Sequence, residues 1–321
     1  MSTKPTLLDV IDAKRQIAPY IPKTPLHHYL SLDKLLDAEV YVKHENHHRL
    51  GAFKVRGGVN LISRLSDEEK RRGVATASTG NHGQSIAFSA GLFGTNAIIA
   101  VPENANPVKV ESIRNLGATV VFHGNTYEDA QEHVEQLSEK NGYRCIHAVE
   151  EPLLIAGVGT YCLEIFEDLP DVDVIINPVG GGSGAAGVCI TSKALKPHVK
   201  LIGVQSAEAP AAYLSWKNGR EVEAPMESTA EGLAVRMGYK LPQEIIRDGL
   251  DDFILVTDKE LNQAIVMHLE KTHNLTEHAG AASLAAAIKI KDSLKGKKVV
   301  LVMSGGNISP EHLKIALAYR E

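Results

Sequence analysis

Arg49-Leu50-Gly51-Ala52-Phe53-Lys54-Val55-Arg56-Gly57-Gly58 sets one lysine among small and apolar neighbours, with glycines on both sides that allow a close approach of the backbone. A lysine is ordinarily a solvated surface charge. Burial lowers its pKa and turns it into an amine nucleophile or proton carrier, the form that Schiff-base chemistry needs. Gly-x-x-Lys strings are common, so the segment acquires meaning from what surrounds it. Just upstream, His44-Glu45-Asn46-His47-His48 crowds three histidines together. Without a neighbouring cysteine or a helical i, i+4 pair, they read as polar contacts lining a cleft and not as metal ligands.

The chain has 321 residues, enough for two closely associated domains. Hydrophobic residues make up 44% and charged residues 23%, an ordinary balance for a globular protein. A formal net charge of -5 and the absence of any basic block argue against a nucleic-acid partner. No apolar run is long enough to cross a bilayer, and the first residues lack an apolar signal core. Cys145, Cys162 and Cys189 are odd in number and widely spaced, as in reduced core thiols of a cytoplasmic protein.

Ahead of the lysine, the pattern predicts a helix over 7–20, an extended segment from Thr24, a helix near 31–37 and a strand over 39–43. From residue 73, short apolar runs alternate with helical ones. Strands are expected at 74–77, 97–101 and 119–122, helices at 84–93 and 108–115, and a capped helix opening at Thr126. Such alternation means βαβ units and a parallel sheet. Residues 73–147 are therefore read as a smaller α/β domain, and 1–72 with 148–321 as a larger one. In the second half, strands are expected at 172–176, 201–204 and 298–303. A helix capped by Thr257 to Glu260 should run to about His273, and another should span 279–290. The fold class is α/β: two open twisted sheets with flanking helices, and a ligand crevice at their strand carboxyl ends.

Three further stretches sit where such a crevice would be. Ser78-Thr79-Gly80-Asn81-His82-Gly83 follows a strand and opens a helix, which suits a carboxylate or phosphate; a plain capped turn reads equally well from the residues alone. Gly180-Gly181-Gly182-Ser183-Gly184-Ala185-Ala186-Gly187 lies between strand and helix, dense enough in glycine for many N–H groups to converge on one anion. Its second part also fits Gly-x-Gly-x-x-Gly, the dinucleotide fingerprint, with Glu208 a loose match for the acidic partner. A nicotinamide-dependent oxidoreductase is thus an alternative, although it leaves Lys54 without a role. Ser304-Gly305-Gly306-Asn307 again follows a strand, placing the Ser304 hydroxyl as a neutral hydrogen-bond partner, or forming a simple turn.

These four pieces, in this order, resemble the fold-type II pyridoxal-phosphate enzymes (tryptophan synthase β-like), most closely the serine/threonine dehydratases and their serine racemase relatives. The resemblance extends to Thr24-Pro25-Leu26, Lys43-x-Glu45-Asn46, Pro102-Glu103 with Lys109, Gly117-Ala118, Ile155-Ala156-Gly157-x-Gly159-Thr160, Thr229-Ala230-Glu231-Gly232 and Glu277-x-Ala279-Gly280-Ala281-Ala282. It implies that Lys54 is catalytic and carries pyridoxal 5'-phosphate as a Schiff base, with Phe53 against the ring. It further implies that Asn81 bonds the ring hydroxyl, that Gly180, Gly181, Gly182, Ser183 and Gly184 hold the phosphate, and that Ser304 faces the ring nitrogen. Ser78, Thr79, Gly80, Asn81 and His82 would take the substrate carboxylate.

The implied reaction is β-elimination from a 3-hydroxy amino acid such as L-threonine or L-serine, giving a 2-oxo acid and ammonia. A hydroxyl at the ring nitrogen, in place of a carboxylate, fits elimination. The chain departs from the family pattern at Ala52, usually serine, at Ser183, usually a fourth glycine, and at Thr79, where the racemases carry a serine that acts as the acid on the opposite face. A serine or aspartate racemase, or a dehydratase of a variant substrate such as 3-hydroxyaspartate, is the alternative. Some relatives bind a divalent cation near the segment that holds Glu227 and Glu231, which here read as solvated carboxylates. The family also implies a homodimer.

Overall fold

The computed structural model describes residues 4–320. The first part of the chain runs α1 (Leu7–Ile17), β1 (Leu26–His28), α2 (Leu30–Leu36), β2 (Glu39–His44), a single 3-10 turn (Glu45–His47), α3 (Lys54–Ser63) and α4 (Asp67–Arg72). Next come β3 (Val74–Ala77), α5 (Asn81–Leu92), β4 (Ala97–Val101), α6 (Pro107–Asn115), β5 (Thr119–Phe122), α7 (Tyr127–Asn141) and β6 (Arg144–Cys145). The remainder is α8 (Pro152–Asp168), β7 (Val174–Pro178), α9 (Ser183–Leu195), β8 (Lys200–Ser206), α10 (Ala211–Asn218), α11 (Lys240–Gly249) and β9 (Asp252–Val256). It closes with α12 (Asp258–Thr272), α13 (His278–Lys289), α14 (Lys291–Leu294), β10 (Lys298–Met303) and α15 (Pro310–Leu317).

Two sheets result. The larger has the order β1-β2-β10-β7-β8-β9, parallel except for β1, and the smaller is β5-β4-β3-β6, parallel throughout. The central strands alternate between two buried faces. Val174, Ile176, Val299, Leu301 and Met303 pack under α2, α12 and α13, whereas Ile175, Val300 and Val302 pack under α8, α9 and α11. The smaller sheet is covered by α5 and α6 on one face and by α7 on the other. Its core also takes in Leu61 and Ile62 of α3 and Leu154 of α8. The two sheets therefore share the helices that lie between them.

Those shared helices meet through bare backbone. A Cβ built on Gly157 of α8 would stand 2.7 Å from the carbonyl oxygen of Arg56, and one on Gly187 of α9 would stand 2.7 Å from the amide nitrogen of Gly159. Only glycine permits that spacing.

Arg56, in the first turn of α3, is the largest fully buried side chain among the described residues. Its guanidinium bonds Glu45 through Nε at 2.7 Å and Nη2 at 2.9 Å, and Glu164 through Nη1 at 2.6 Å and Nη2 at 2.8 Å. Lys43 joins Glu164 at 2.6 Å, His48 meets Glu45 at 3.1 Å, and the hydroxyls of Thr24 and Thr160 complete the set. Burial works to raise the pKa of Glu45, and the charge of Arg56 overrides it and holds the carboxyl well below its usual range. Of the other two clustered histidines, His44 faces the Tyr29 hydroxyl at 2.9 Å and His47 faces Asn274 at 2.6 Å.

Replacing Arg56 leaves two buried carboxylates without their shared partner. Arg56→Met is expected to lower the unfolding free energy by about 3–5 kcal/mol, read from urea denaturation at neutral pH. A loss below about 1 kcal/mol would mean that the cluster contributes no more than a surface pair.

Candidate active site

Parallel pairing brings the carboxyl ends of β2, β10 and β7 side by side, so the segments that follow them emerge together. Those segments hold Lys54, Ser304 and the glycine run. The segment before Lys54 is stitched to the one after β10. The amide of Phe53 donates to the Ser304 carbonyl at 3.1 Å, Gly306 donates to Gly51 at 2.8 Å, and Ala52 pairs with Gly305. From the smaller sheet, the end of β3 contributes 78–80, and the segment after β6 contributes 146–151.

Lys54 opens α3 half-buried, with its Nζ donating to the Ser183 hydroxyl at 3.0 Å and to the Ala148 carbonyl at 3.2 Å. Burial alone pushes its amine down to about 8. The Phe53 ring lies alongside, its centroid 5.5 Å from the amine and its edge against Gly184.

The glycine run is built for an anion. From Gly180 to Ala185, none of the backbone N–H groups has an acceptor among the described residues, and they end on the first turn of α9. A Cβ on Gly180 would lie 2.2 Å from the Gly232 carbonyl, and one on Gly181 would lie 2.5 Å from Val149. Gly182 holds φ at +98°, in the left-handed region. The loop 78–80 offers a second, smaller cradle, since the amides of Asn81, His82 and Gly83 in the first turn of α5 are likewise unpartnered.

Side chains around these loops divide the crevice. Asn81 donates from Nδ2 to Glu277 at 2.8 Å and accepts at Oδ1 from Asn307 at 2.7 Å, which fixes its amide and leaves one Nδ2 proton free. Glu277 also abuts the turn after Ser304, where a Cβ on Gly305 would meet its Oε1 at 2.4 Å. Burial raises the Glu277 carboxyl to about 7, against the opposing pull of Asn81 and Lys109. Ser304 is buried, and its hydroxyl has no partner among the described residues. His82 turns inward: the Thr76 hydroxyl donates to the Ile146 carbonyl at 2.7 Å and so accepts from His82 Nε2 at 3.0 Å. His82 therefore reaches the cradle only through its backbone N–H. His147 accepts at Nδ1 from the amides of Val149 and Glu150, so its ring proton sits on Nε2.

Lys54, the Ser304 turn, the glycine run and the loop 78–83 thus lie at or beside one crevice. Ser78 supports its own loop by accepting from Gly80 at 3.1 Å, and the Thr79 hydroxyl has no partner among the described residues. Glu231 pairs with Lys109, and Glu208 accepts from Ser206 and from the Asp258 amide, away from the ribose role that a dinucleotide would ask of it. Among the described residues, no cluster of histidine, cysteine and carboxylate groups has the arrangement to hold a metal ion. The groups that sequence reasoning missed are Glu277, Asn307 and His147. The first two stand in stretches already quoted, with nothing local to reveal that they meet.

The residues present fit pyridoxal phosphate, with an anion cradle at one end, an unpartnered hydroxyl and an oriented amide at the other, and a depressed lysine between. Comparison with known proteins agrees. Residues 17–305 match the family described as pyridoxal-phosphate dependent enzyme. The chain is 40% identical over 304 residues to L-threonine ammonia-lyase of Thermotoga maritima, covering 94% of this chain and 76% of that one. It is 35% identical over 303 residues to the catabolic L-threonine dehydratase TdcB of Escherichia coli K12, covering 94% and 92%. Among solved structures it superposes on serine racemase from Dictyostelium discoideum with a TM-score of 0.90 at 35% identity, over 96% of this chain and 100% of that one.

The raised pKa of Glu277 carries a sign. The folded protein binds its proton more tightly than the unfolded chain, so its contribution to stability is full below about pH 4 and is lost as pH rises through about 7. Glu277→Gln keeps an oxygen for Asn81 and removes the titration. Between about pH 5 and pH 8, the unfolding free energy of the cofactor-free protein should fall relative to that of the variant; parallel curves would show that Glu277 does not titrate there.

Proposed function

The chain belongs to the pyridoxal-phosphate dependent enzymes, and from that premise we propose that it is an ammonia-lyase. It would convert a 3-hydroxy amino acid, L-threonine or L-serine first among them, into a 2-oxo acid and ammonia. One observation carries the reading: the half-buried Lys54 amine, pushed down to about 8, stands against a loop whose N–H groups await an anion.

Gly180, Gly181, Gly182, Ser183 and Gly184 would hold the phosphate, Asn81 the ring hydroxyl and Ser304 the ring nitrogen, with Phe53 beside the ring. When bound, the cofactor supplies a sink for the electron pair left on the substrate α-carbon. The chain supplies the rest. The first-turn amides of α5 bind the substrate carboxylate and fix the α-carbon over Lys54. Lys54 Nζ, with no carboxylate to hold its proton, takes the α-proton. Ser304 would offer the ring nitrogen a neutral hydroxyl in place of a carboxylate, a partner that would fit elimination. Tyr239, its hydroxyl raised by burial, packs edge-on against His147, with ring centroids 5.3 Å apart.

A second reading, amino-acid racemisation, is supported by the likeness to the Dictyostelium discoideum serine racemase and by the free hydroxyl of Thr79. Chiral analysis of serine after incubation separates the two. A cytoplasmic homodimer completes the proposal, supported by the free state of all three cysteines and by the family resemblance; a monomeric mass in light scattering would overturn the dimer.

Purified protein should absorb in the visible and release 2-oxo acid and ammonia from L-threonine, L-serine or 3-hydroxyaspartate. Lys54→Ala should lose the visible band and slow release by about 10²–10⁴-fold or more. A colourless wild-type protein that pyridoxal phosphate does not restore would refute the assignment.

A further inference from the structure

We propose that Ser183, standing where the resembling family has a fourth glycine, is a positioning residue for the Lys54 amine, its hydroxyl holding that amine in both the protonated and the neutral state. The proposal rests on the lyase reading and deepens it.

The contact is specific to this side chain. Ser183 is the first residue of α9 and is buried, and its Oγ lies 3.0 Å from Lys54 Nζ. The amine's other partner, the Ala148 carbonyl at 3.2 Å, accepts only. A hydroxyl does both. It accepts from the ammonium, and once the proton has gone it donates its own hydrogen to the nitrogen lone pair. As Lys54 alternates between base and acid, the bond to Ser183 can reverse direction without either atom moving.

The surroundings offer no substitute. From α5 the amine faces His82, and from the segment 146–151 it faces His147; burial lowers the pKa of both, so neither carries charge where Lys54 titrates. The Phe53 ring face attracts an ammonium but offers the neutral amine no hydrogen bond, and the first turn of α9 presents the positive end of a helix, which disfavours an ammonium. Among the described residues, no carboxylate lowers the cost of a proton on Lys54, and Ser183 is the one side chain hydrogen-bonded to it.

A test can separate this role from phosphate binding. Cofactor-free protein is mixed with pyridoxal phosphate, or with pyridoxal, which lacks the phosphate, and the rise of visible absorbance is followed across pH. In that reaction the amine nitrogen adds to the aldehyde carbon and the carbonyl oxygen leaves as water, so its rate follows the neutral fraction of Lys54. Removing the hydroxyl destabilises the ammonium more than the neutral amine, because hydrogen bonds to charged groups are the stronger. In Ser183→Ala and Ser183→Gly alike, the midpoint should move to lower pH by about 0.5–1 unit, with both aldehydes. The Ser183 backbone N–H remains part of the phosphate cradle in either case; a shift with pyridoxal phosphate alone would assign the Ser183 hydroxyl to the phosphate as well and overturn the proposal. So would unchanged midpoints, or a shift in only one variant, which would point to packing. Wild-type protein that captures neither aldehyde would instead overturn the lyase reading beneath it.

Discussion

The position of Lys54 depends on a guanidinium two residues further along the same helix. Arg56 is clamped between Glu45, which follows β2, and Glu164, in the middle of α8, with Lys43 and His48 closing the cluster. Both carboxylates meet the guanidinium fork through two nitrogens, a geometry a lysine at this position would not reproduce. Charges this deep are tolerated only when every one has a partner. Here the requirement acts as a specification: α3 has one position and one rotation at which the cluster closes, and Lys54 is carried there with it.

Against that fixed point the crevice is electrostatically one-sided. The glycine run and the start of α9 present N–H dipoles, with neutral histidines nearby, while the carboxyl that meets Asn81 and the Ser304 turn is Glu277. An anionic group therefore belongs at the first end and a neutral, hydrogen-bonding edge at the second. Two ion pairs, Lys109 with Glu231 and Arg236 with Glu128, tie the helices of the smaller sheet to the segment between α10 and α11. The smaller sheet thus reaches the larger one through α3 and α8 and through these charges.

Much of this architecture is legible in the amino-acid sequence alone. β3, β4 and β5 fall at 74–77, 97–101 and 119–122 as the alternation predicts, because each is a short apolar run between helical periods. Thr126 and Thr257 cap their helices as expected, each with an acidic residue three positions on. Other elements give little signal. α8 is buried on nearly every side and so has no amphipathic period, and α3 carries two glycines that argue against a helix. β9, a five-residue edge strand, reads Asp-Phe-Ile-Leu-Val, an apolar run that the expected strands do not include. In the site, the lysine and the glycine run stand out because their residue types are unusual locally. Glu277 and Arg56 do not, since their partners Asn81 and Glu164 lie 196 and 108 residues away along the chain. Thr24, Lys43, Glu45 and Thr160 belong to motifs whose purpose is opaque in one dimension; they are the wall of the Arg56 cluster.

The glycine contacts among α3, α8 and α9 have a mechanical consequence. Side chains between helices form a soft layer whose rotamers absorb changes of volume, and at these glycines that layer is interrupted by backbone-to-backbone contact. The nucleophile sits at the head of one outer helix and the anion loop at the head of the other, joined through α8 as through a rigid spacer. Heating or hydrostatic pressure should therefore alter the peripheral loops well before it changes the span between amine and loop, and sequence drift can proceed at the surface while this three-helix kernel stays frozen.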